Sequence, residues 1–153
     1  MRGAEEPPWA GKSLRCAAAM ALELPFEPDL GFDRLYGLEI GEISDGLVRG
    51  RVQVRDDLRQ PAGLVHGGVY AAVAESLATN GTAAKVFGNG DTAMGLSNQT
   101  SFLRPVTQGA INAVARARHQ GRTTWVWEVE LSDDEGRLCA LTRVTVAVRP
   151  RPG

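Results

Sequence analysis

The segment from Gln60 to Thr82, QPAGLVHGGVYAAVAESLATNGT, limits what this chain can fold into more than any other stretch. Its first residues, with Pro61 and Gly63, read as a loop. After His66-Gly67-Gly68 the sequence takes up a helical period. Stepping about 100° per residue from Gly67 puts Val69, Tyr70, Val73 and Leu77 in one bulky apolar sector. Ala71, Ala72, Ala78, Thr79 and Thr82 fall in another, and Glu75 stands among them. An ordinary surface carboxylate would sit opposite the bulky stripe among other charges, yet the next charge along this helix is Lys85. A carboxylate on an alanine-and-threonine face lies where another backbone can approach closely. Partial desolvation there strengthens its interaction with a reacting group. A buried salt bridge is the alternative that helix geometry leaves open.

The start of the same helix carries a second feature. Gly67 and Gly68 have no Cβ to obstruct a ligand, and the first turn of a helix has free backbone N–H groups. Such a helix start favours negative charge, including the oxyanion that develops on an attacked carbonyl. Glu75 lies eight residues beyond Gly67, a rise of roughly 12 Å at ~1.5 Å per residue. Within one chain the two groups are too far apart to act on one small group, unless the substrate spans two chains.

On either side of this helix the pattern is that of strands. Leu38 to Ile43 and Leu47 to Val54 form two strand-like runs joined by a hairpin turn at Ser44-Asp45-Gly46. Asp56 to Val65 is the loop into the central helix, which runs to about Phe87 and ends at Gly88-Asn89-Gly90-Asp91. Four further strands follow as a meander: Thr92 to Leu103, Ile111 to His119, a run alternating about Trp125, Trp127, Val129 and Leu131, and Leu138 to Val148. Trp125 and Trp127, on one face, read as core, and Tyr70 and Met94 as pocket walls. Ahead of them Ser13 caps an expected helix from Leu14 to Leu24, closed by Pro25, and Phe32 to Leu35 forms a short helical turn. Residues 15–22 resemble a very short signal sequence but follow two acids and two prolines, so residues 1–30 read as an arm with a short helix. Residues 31–153 form one α+β domain, an antiparallel sheet wrapped round one long helix.

Composition removes several classes of function. Seventeen basic against eighteen acidic residues give a net charge of −1, with no electrostatic case for nucleic acid. Cys16 and Cys139 form no CxxC, and His66 and His119 no metal-binding spacing, so no metal is expected and a reduced, cytoplasmic protein is the default. No run approaches the ~20 apolar residues that cross a bilayer.

The blocks VHGGVYAAVAESLAT, GLSNQTSFLRPV, TTWVWEVELSDDEGRLCA and VAVRPRP, spread over Gly31 to Arg151, resemble the hotdog-fold acyl-CoA thioesterases of the phenylacetate-degradation type. They are most similar to the Arthrobacter-type 4-hydroxybenzoyl-CoA thioesterases. The resemblance implies a hotdog fold and hydrolysis of an acyl-CoA, with an aromatic acyl group, without metal or organic cofactor. It also implies a homo-oligomer, a dimer of dimers. The acid of one subunit then works opposite the helix-start amide of the other, which resolves the distance between Glu75 and Gly67.

Under this resemblance Glu75 is the nucleophile or general base and the Gly67 N–H the oxyanion donor, with Gly68 beside it. Gln60 matches a position whose amide approaches the thioester; a solvated loop glutamine is its plain reading. His66 either approaches the thioester or holds the loop by a hydrogen bond. Thr79, one turn after Glu75, either holds the carboxylate or a water, or packs the helix. Arg104, Arg122, Thr123 and Thr124 fall in the blocks that contact the nucleotide, with Arg149 and Arg151 as further cations for its phosphates. Arginine at a loop end is also common surface decoration, and Arg122 stands where a small residue is expected. Two rival functions remain: an acyl-thioester hydratase or dehydratase, which needs a catalytic histidine paired with an acid, and a non-catalytic acyl-CoA-binding protein.

Overall fold

Strands with one apolar face and a single long helix bury their apolar surfaces together when the sheet curls over the helix. The structure, a computed structural model describing residues 22–25 and 31–152, has this hotdog arrangement. A short helix α1 (Phe32–Tyr36) leads to strands β1 (Leu38–Ser44) and β2 (Leu47–Gln53). Helix α2 (Gly67–Val86) follows, and then β3 (Asp91–Phe102), β4 (Ala110–Gln120), β5 (Thr124–Ser132) and β6 (Leu138–Pro150). All six strands form one antiparallel sheet in the order β1-β2-β4-β5-β6-β3. No helix among the described residues is long and apolar enough to cross a membrane.

This order corrects the expected four-strand meander. Strands β4, β5 and β6 do run as one, but β3 pairs with β6 at the far edge and β4 pairs with β2. The connection after β3 is too long for a tight hairpin and crosses the start of α2. There the Leu103 and Arg104 N–H groups donate to the Cys139 carbonyl, and the Val65 N–H donates to that of Val106. The chain therefore wraps round the helix between β3 and β4. The expected helix over Leu14–Leu24 lies largely outside the described residues. Leu22 to Leu24, at its end, are not helical, and the Leu22 N–H donates to the Ile43 carbonyl on β1.

The bulky sector of α2 faces the sheet as its period requires: Val69, Tyr70, Val73 and Leu77 are all buried. Ala78 and Thr82 are buried with them, not on the face of Glu75, because the small residues let the helix seat closely on the strands. At Gly81 an added Cβ would lie 2.6 Å from Val48 Cγ2 and 2.7 Å from Trp127 Cη2. Trp125 and Trp127 stack with centroids 5.9 Å apart within the core. The fully buried Trp127 donates its Nε1–H to Thr82 Oγ1 at 2.9 Å, and that hydroxyl donates on to the Ala78 carbonyl. The other end of α2 is fixed by His66 at the N-cap, whose Nδ1 accepts the Gly68 N–H at 2.9 Å.

Two stability predictions follow from these contacts. Thr82→Val keeps the shape of the side chain but leaves the Trp127 N–H buried without an acceptor, and should cost about 1–3 kcal/mol in urea unfolding. His66→Ala removes the cap and should cost about 1 kcal/mol, most of which His66→Asn should restore by the same measurement.

Candidate active site

Glu75 lies midway along α2, where the helix runs beside β3. A Cβ built on Gly95 of β3 would fall 2.9 Å from Glu75 Oε1, so glycine is what lets the carboxylate rest against the strand. The register of β3 against β6 shifts between Gly95 and Ser97, a bulge directly beside this contact. Asn98 donates its side-chain N–H to the Ala71 carbonyl at 2.9 Å, the carbonyl one helical turn before Glu75. Thr100 Oγ1 donates in turn to Asn98 Oδ1 at 2.9 Å. This chain of bonds fixes the Glu75 turn of α2 against β3. Among the described residues no lysine or arginine pairs with Glu75. The buried-salt-bridge alternative has no partner there, and in the single chain the carboxylate is exposed.

A cleft of about 570 Å³ opens beside this carboxylate. Its floor is Ala71 and Ala72, its side walls are Phe32 and Phe102, and Ser76, Asn98 and Thr100 give it polar edges. A second cleft of about 390 Å³ lies towards the helix start and is lined by His66 and Gly68 as well as α1; Phe32 belongs to both. Helix α1 is held on α2 by one carboxylate. Tyr36 Oη and Ser76 Oγ each donate to Asp33 Oδ1 at 2.6 Å, one residue past Glu75. Burial first, and then the Asp33 carboxylate, push the Tyr36 phenol well above the usual tyrosine range, so it stays a donor.

At the helix start, Gly67 is the first residue of α2, and an added Cβ would meet the Phe102 ring at 2.8 Å. The Gly68 N–H donates to His66 Nδ1 and the Val69 N–H to the His66 carbonyl, while the Gly67 N–H, at the head of the helix, has no hydrogen-bond partner among the described residues. His66 therefore has the structural role at Nδ1, and its ring also lines the second cleft. Gln60 is tied by its backbone, with its N–H donating to Leu64 and its carbonyl accepting from Gly63, and it lines neither cleft. Thr79 does not hold the Glu75 carboxylate: its hydroxyl is buried and has no hydrogen-bond partner among the described residues. Of the two pocket-wall readings, Tyr70 is buried against Phe102, and Met94 is half exposed on β3; neither lines these clefts.

The expected nucleotide residues separate into two groups. Arg122, Thr123 and Thr124 cluster with Arg149, whose guanidinium donates to the Thr123 and Val148 carbonyls. Arg151 lies nearby with its guanidinium 4.0 Å from the centre of the Phe87 ring. Arg104 follows the opposite end of β3, and a strand of twelve residues spans roughly 40 Å at ~3.4 Å per residue. One chain does not bring both groups to one ligand. Gly95, Asn98, Ser76 and the α1 residues Phe32 and Asp33 were not read from sequence. A lone glycine inside a strand was the available signal for the first, since it marks a bulge or a close approach.

Comparison with known proteins agrees with this geometry. Residues 62–140 match the family described as the thioesterase superfamily. A 1,4-dihydroxy-2-naphthoyl-CoA hydrolase of Listeria monocytogenes is 32% identical over 122 residues, covering 80% of this chain and 98% of its own. A thioesterase of Pseudomonas aeruginosa, solved as a mutant, superposes with a TM-score of 0.78 at 29% identity, covering 86% of this chain and 100% of the other. A thioesterase enzyme of Staphylococcus aureus, also solved as a mutant, gives a TM-score of 0.75 at 28% identity, covering 77% of this chain and 98% of the other. With a carboxylate seated on a strand glycine and a bare amide at the helix start, this chain is a hotdog-fold hydrolase of thioesters and belongs to the thioesterase superfamily.

Proposed function

We propose that the protein hydrolyses an aromatic acyl-CoA, hydroxybenzoyl- or phenylacetyl-like, at a site completed by a second copy of the chain. The observation that carries this reading is the placement of both groups on one strand: Glu75 rests over Gly95 of β3, and Gly67 lies against Phe102 of the same strand. Two copies of β3 paired antiparallel about a point between Asn98 and Gln99 set Gly95 of one opposite Phe102 of the other. Each Glu75 then faces the partner's helix start, and the distance of roughly 12 Å along one helix no longer separates acid from amide. The same pairing brings the Arg104 end of one copy towards the Arg122, Thr123 and Arg149 end of the other.

The free edge of β3 supports this pairing. It is twelve residues long, holds Met94 and Leu96 exposed at 50% and 59%, and among the described residues pairs with no strand other than β6. An unprotected edge of this kind is a template for another strand. The opposite edge, β1, is blunted by Glu39, Glu42, a bulge and the bond from Leu22. A dimer of dimers extends the same reading.

In the reaction, Glu75 either attacks the acyl carbon itself or takes a proton from a water that attacks it. In the first case the C–S bond breaks, CoA leaves as its thiolate, and water cleaves the resulting mixed anhydride to the free acid and the restored carboxylate. In the second the water's attack expels the CoA thiolate directly. The partner's Gly67 N–H holds the carbonyl oxygen as it becomes an oxyanion, a donor worth ~10²–10³ in rate. Gln60 approaches the thioester from the loop, and the arginine and threonine groups hold the nucleotide. The aromatic preference is supported by the cleft of two phenylalanines over an alanine floor and by the relative that acts on a naphthoyl-CoA. In the S. aureus relative, alanine variants have been made at a glutamine and at a glutamate fifteen residues further on (32 to 47). Gln60 and Glu75 have the same separation here (75 less 60). His66 spends Nδ1 on the helix cap, which weighs against the hydratase reading. The buried free thiol of Cys139 fits a reducing, cytoplasmic setting.

Glu75→Gln should abolish thiol release from benzoyl-CoA while leaving the unfolding midpoint and CoA binding near those of the parent; retained turnover would remove its role. Gly95→Ala should displace the Glu75 carboxylate and lower kcat by about tenfold or more in the same assay, as small misplacements of catalytic groups do. Sedimentation equilibrium should give a particle of two chains or a multiple of two. A monomer with full activity would overturn the shared site.

A further inference from the structure

Helix α1 has only five residues, yet it contributes to both clefts. Phe32 lines the cleft of Glu75 and the cleft of the helix start, and it is the one α1 residue that lines the former. Its ring is 66% exposed, and Leu35, one turn on, is 70% exposed. Neither belongs to the core, so the packing of the described residues does not itself call for large apolar side chains there. The ring is nevertheless held in place. It meets Tyr36 edge-on at 5.3 Å between centroids, and Tyr36 is fixed by Asp33, whose carboxylate also takes the Ser76 hydroxyl from α2. At the other end of α1, Arg55 donates to the Leu35 carbonyl.

The Ser76 bond ties α1 to α2 one residue past Glu75, and the Arg55 bond ties it to the chain that follows β2. Gly31 and Gly37 bracket the helix with φ of 70° and 73°, a left-handed backbone that sets the helix off sharply from the chain on either side. The result is an exposed aromatic ring, packed edge-on against Tyr36, that lines the Glu75 cleft together with Phe102 and two alanines. A flat group laid between two phenylalanine rings gains apolar burial and aromatic contact, while a two-carbon acyl group reaches neither wall.

We propose that α1 is the acyl-selecting element of the site, with Phe32 as the residue that contacts the acyl group and Asp33, Tyr36 and Ser76 as residues that position it. The ligand class is an aryl acyl group, which deepens the thioesterase reading and rests on it. Removal of an apolar contact to one substrate and not another changes discrimination by ~10–200-fold.

The test compares benzoyl-CoA with acetyl-CoA. Phe32→Ala should lower kcat/KM for benzoyl-CoA by about tenfold or more and leave acetyl-CoA within about twofold. Phe32→Leu should recover part of the loss. Ser76→Ala, which removes one of the two donors on Asp33, should raise KM for benzoyl-CoA with little change in kcat and again spare acetyl-CoA. Equal losses on both substrates, or no loss on benzoyl-CoA, would overturn the assignment. If the parent protein hydrolyses no acyl-CoA, the thioesterase reading fails by itself. The role of Phe32 is then decided by calorimetric binding of benzoyl-CoA against free CoA: a preference shared equally by the parent and Phe32→Ala overturns it, and a preference lost in the variant supports it.

Discussion

The close seating of α2 on β3 is the constraint on which the other features depend. It requires small residues on both sides, alanines on the helix and Gly95 on the strand, and it is locked by the bond from Asn98 to the Ala71 carbonyl. Any Cβ at Gly95 would occupy the space of the Glu75 carboxylate. The same contact determines what the carboxylate can do. It rests against the strand backbone at Gly95 and among the described residues pairs with no cation, so it is open to a ligand. A carboxylate in a salt bridge would be positioned as well but chemically spent.

Much of this was legible in the sequence, and for identifiable reasons. The period of 3.6 from Gly67 onward, interrupted by a single acid, located both the helix and Glu75. Turn residues at Asp45-Gly46 and Gly90 placed the strand ends to within a residue or two. What failed was long-range order. Alternation states that a strand has two faces but not which strand lies beside it, so β3 was placed next to β4 when it pairs with β6. The faces of α2 were also misjudged at Ala78 and Thr82. A small residue signals close approach but does not say whether the approaching backbone is a neighbouring sheet or a ligand.

The site was legible where chemistry is concentrated in one unusual residue and illegible where it depends on packing. Glu75 and Gly67 stood out against their surroundings. Asp33, Tyr36 and Ser76 are ordinary residue types that become a hydrogen-bonded group only because α1 folds back across α2, forty-three residues separating Asp33 from Ser76. His66 illustrates a third case. Its place before a helix allowed either a catalytic or a capping role, and only the direction of its Nδ1 towards the Gly68 N–H separates them.

The proposed division of labour between two copies has a reason in helix geometry. An acid one turn or less from the amide-rich start of its own helix would lie beside the positive end of the dipole, which lowers its pKa and weakens it as a base. Glu75 lies two turns further along, out of reach of the Gly67 N–H of its own helix. In the proposed pairing of β3 with a second β3 the acid and the donor meet with the substrate between them, so the donor's field would fall on the acyl oxygen and not directly on the base. The long edge of β3, which no strand among the described residues covers and which would be a liability in a monomer, is the surface that the proposed pairing uses to bridge this separation.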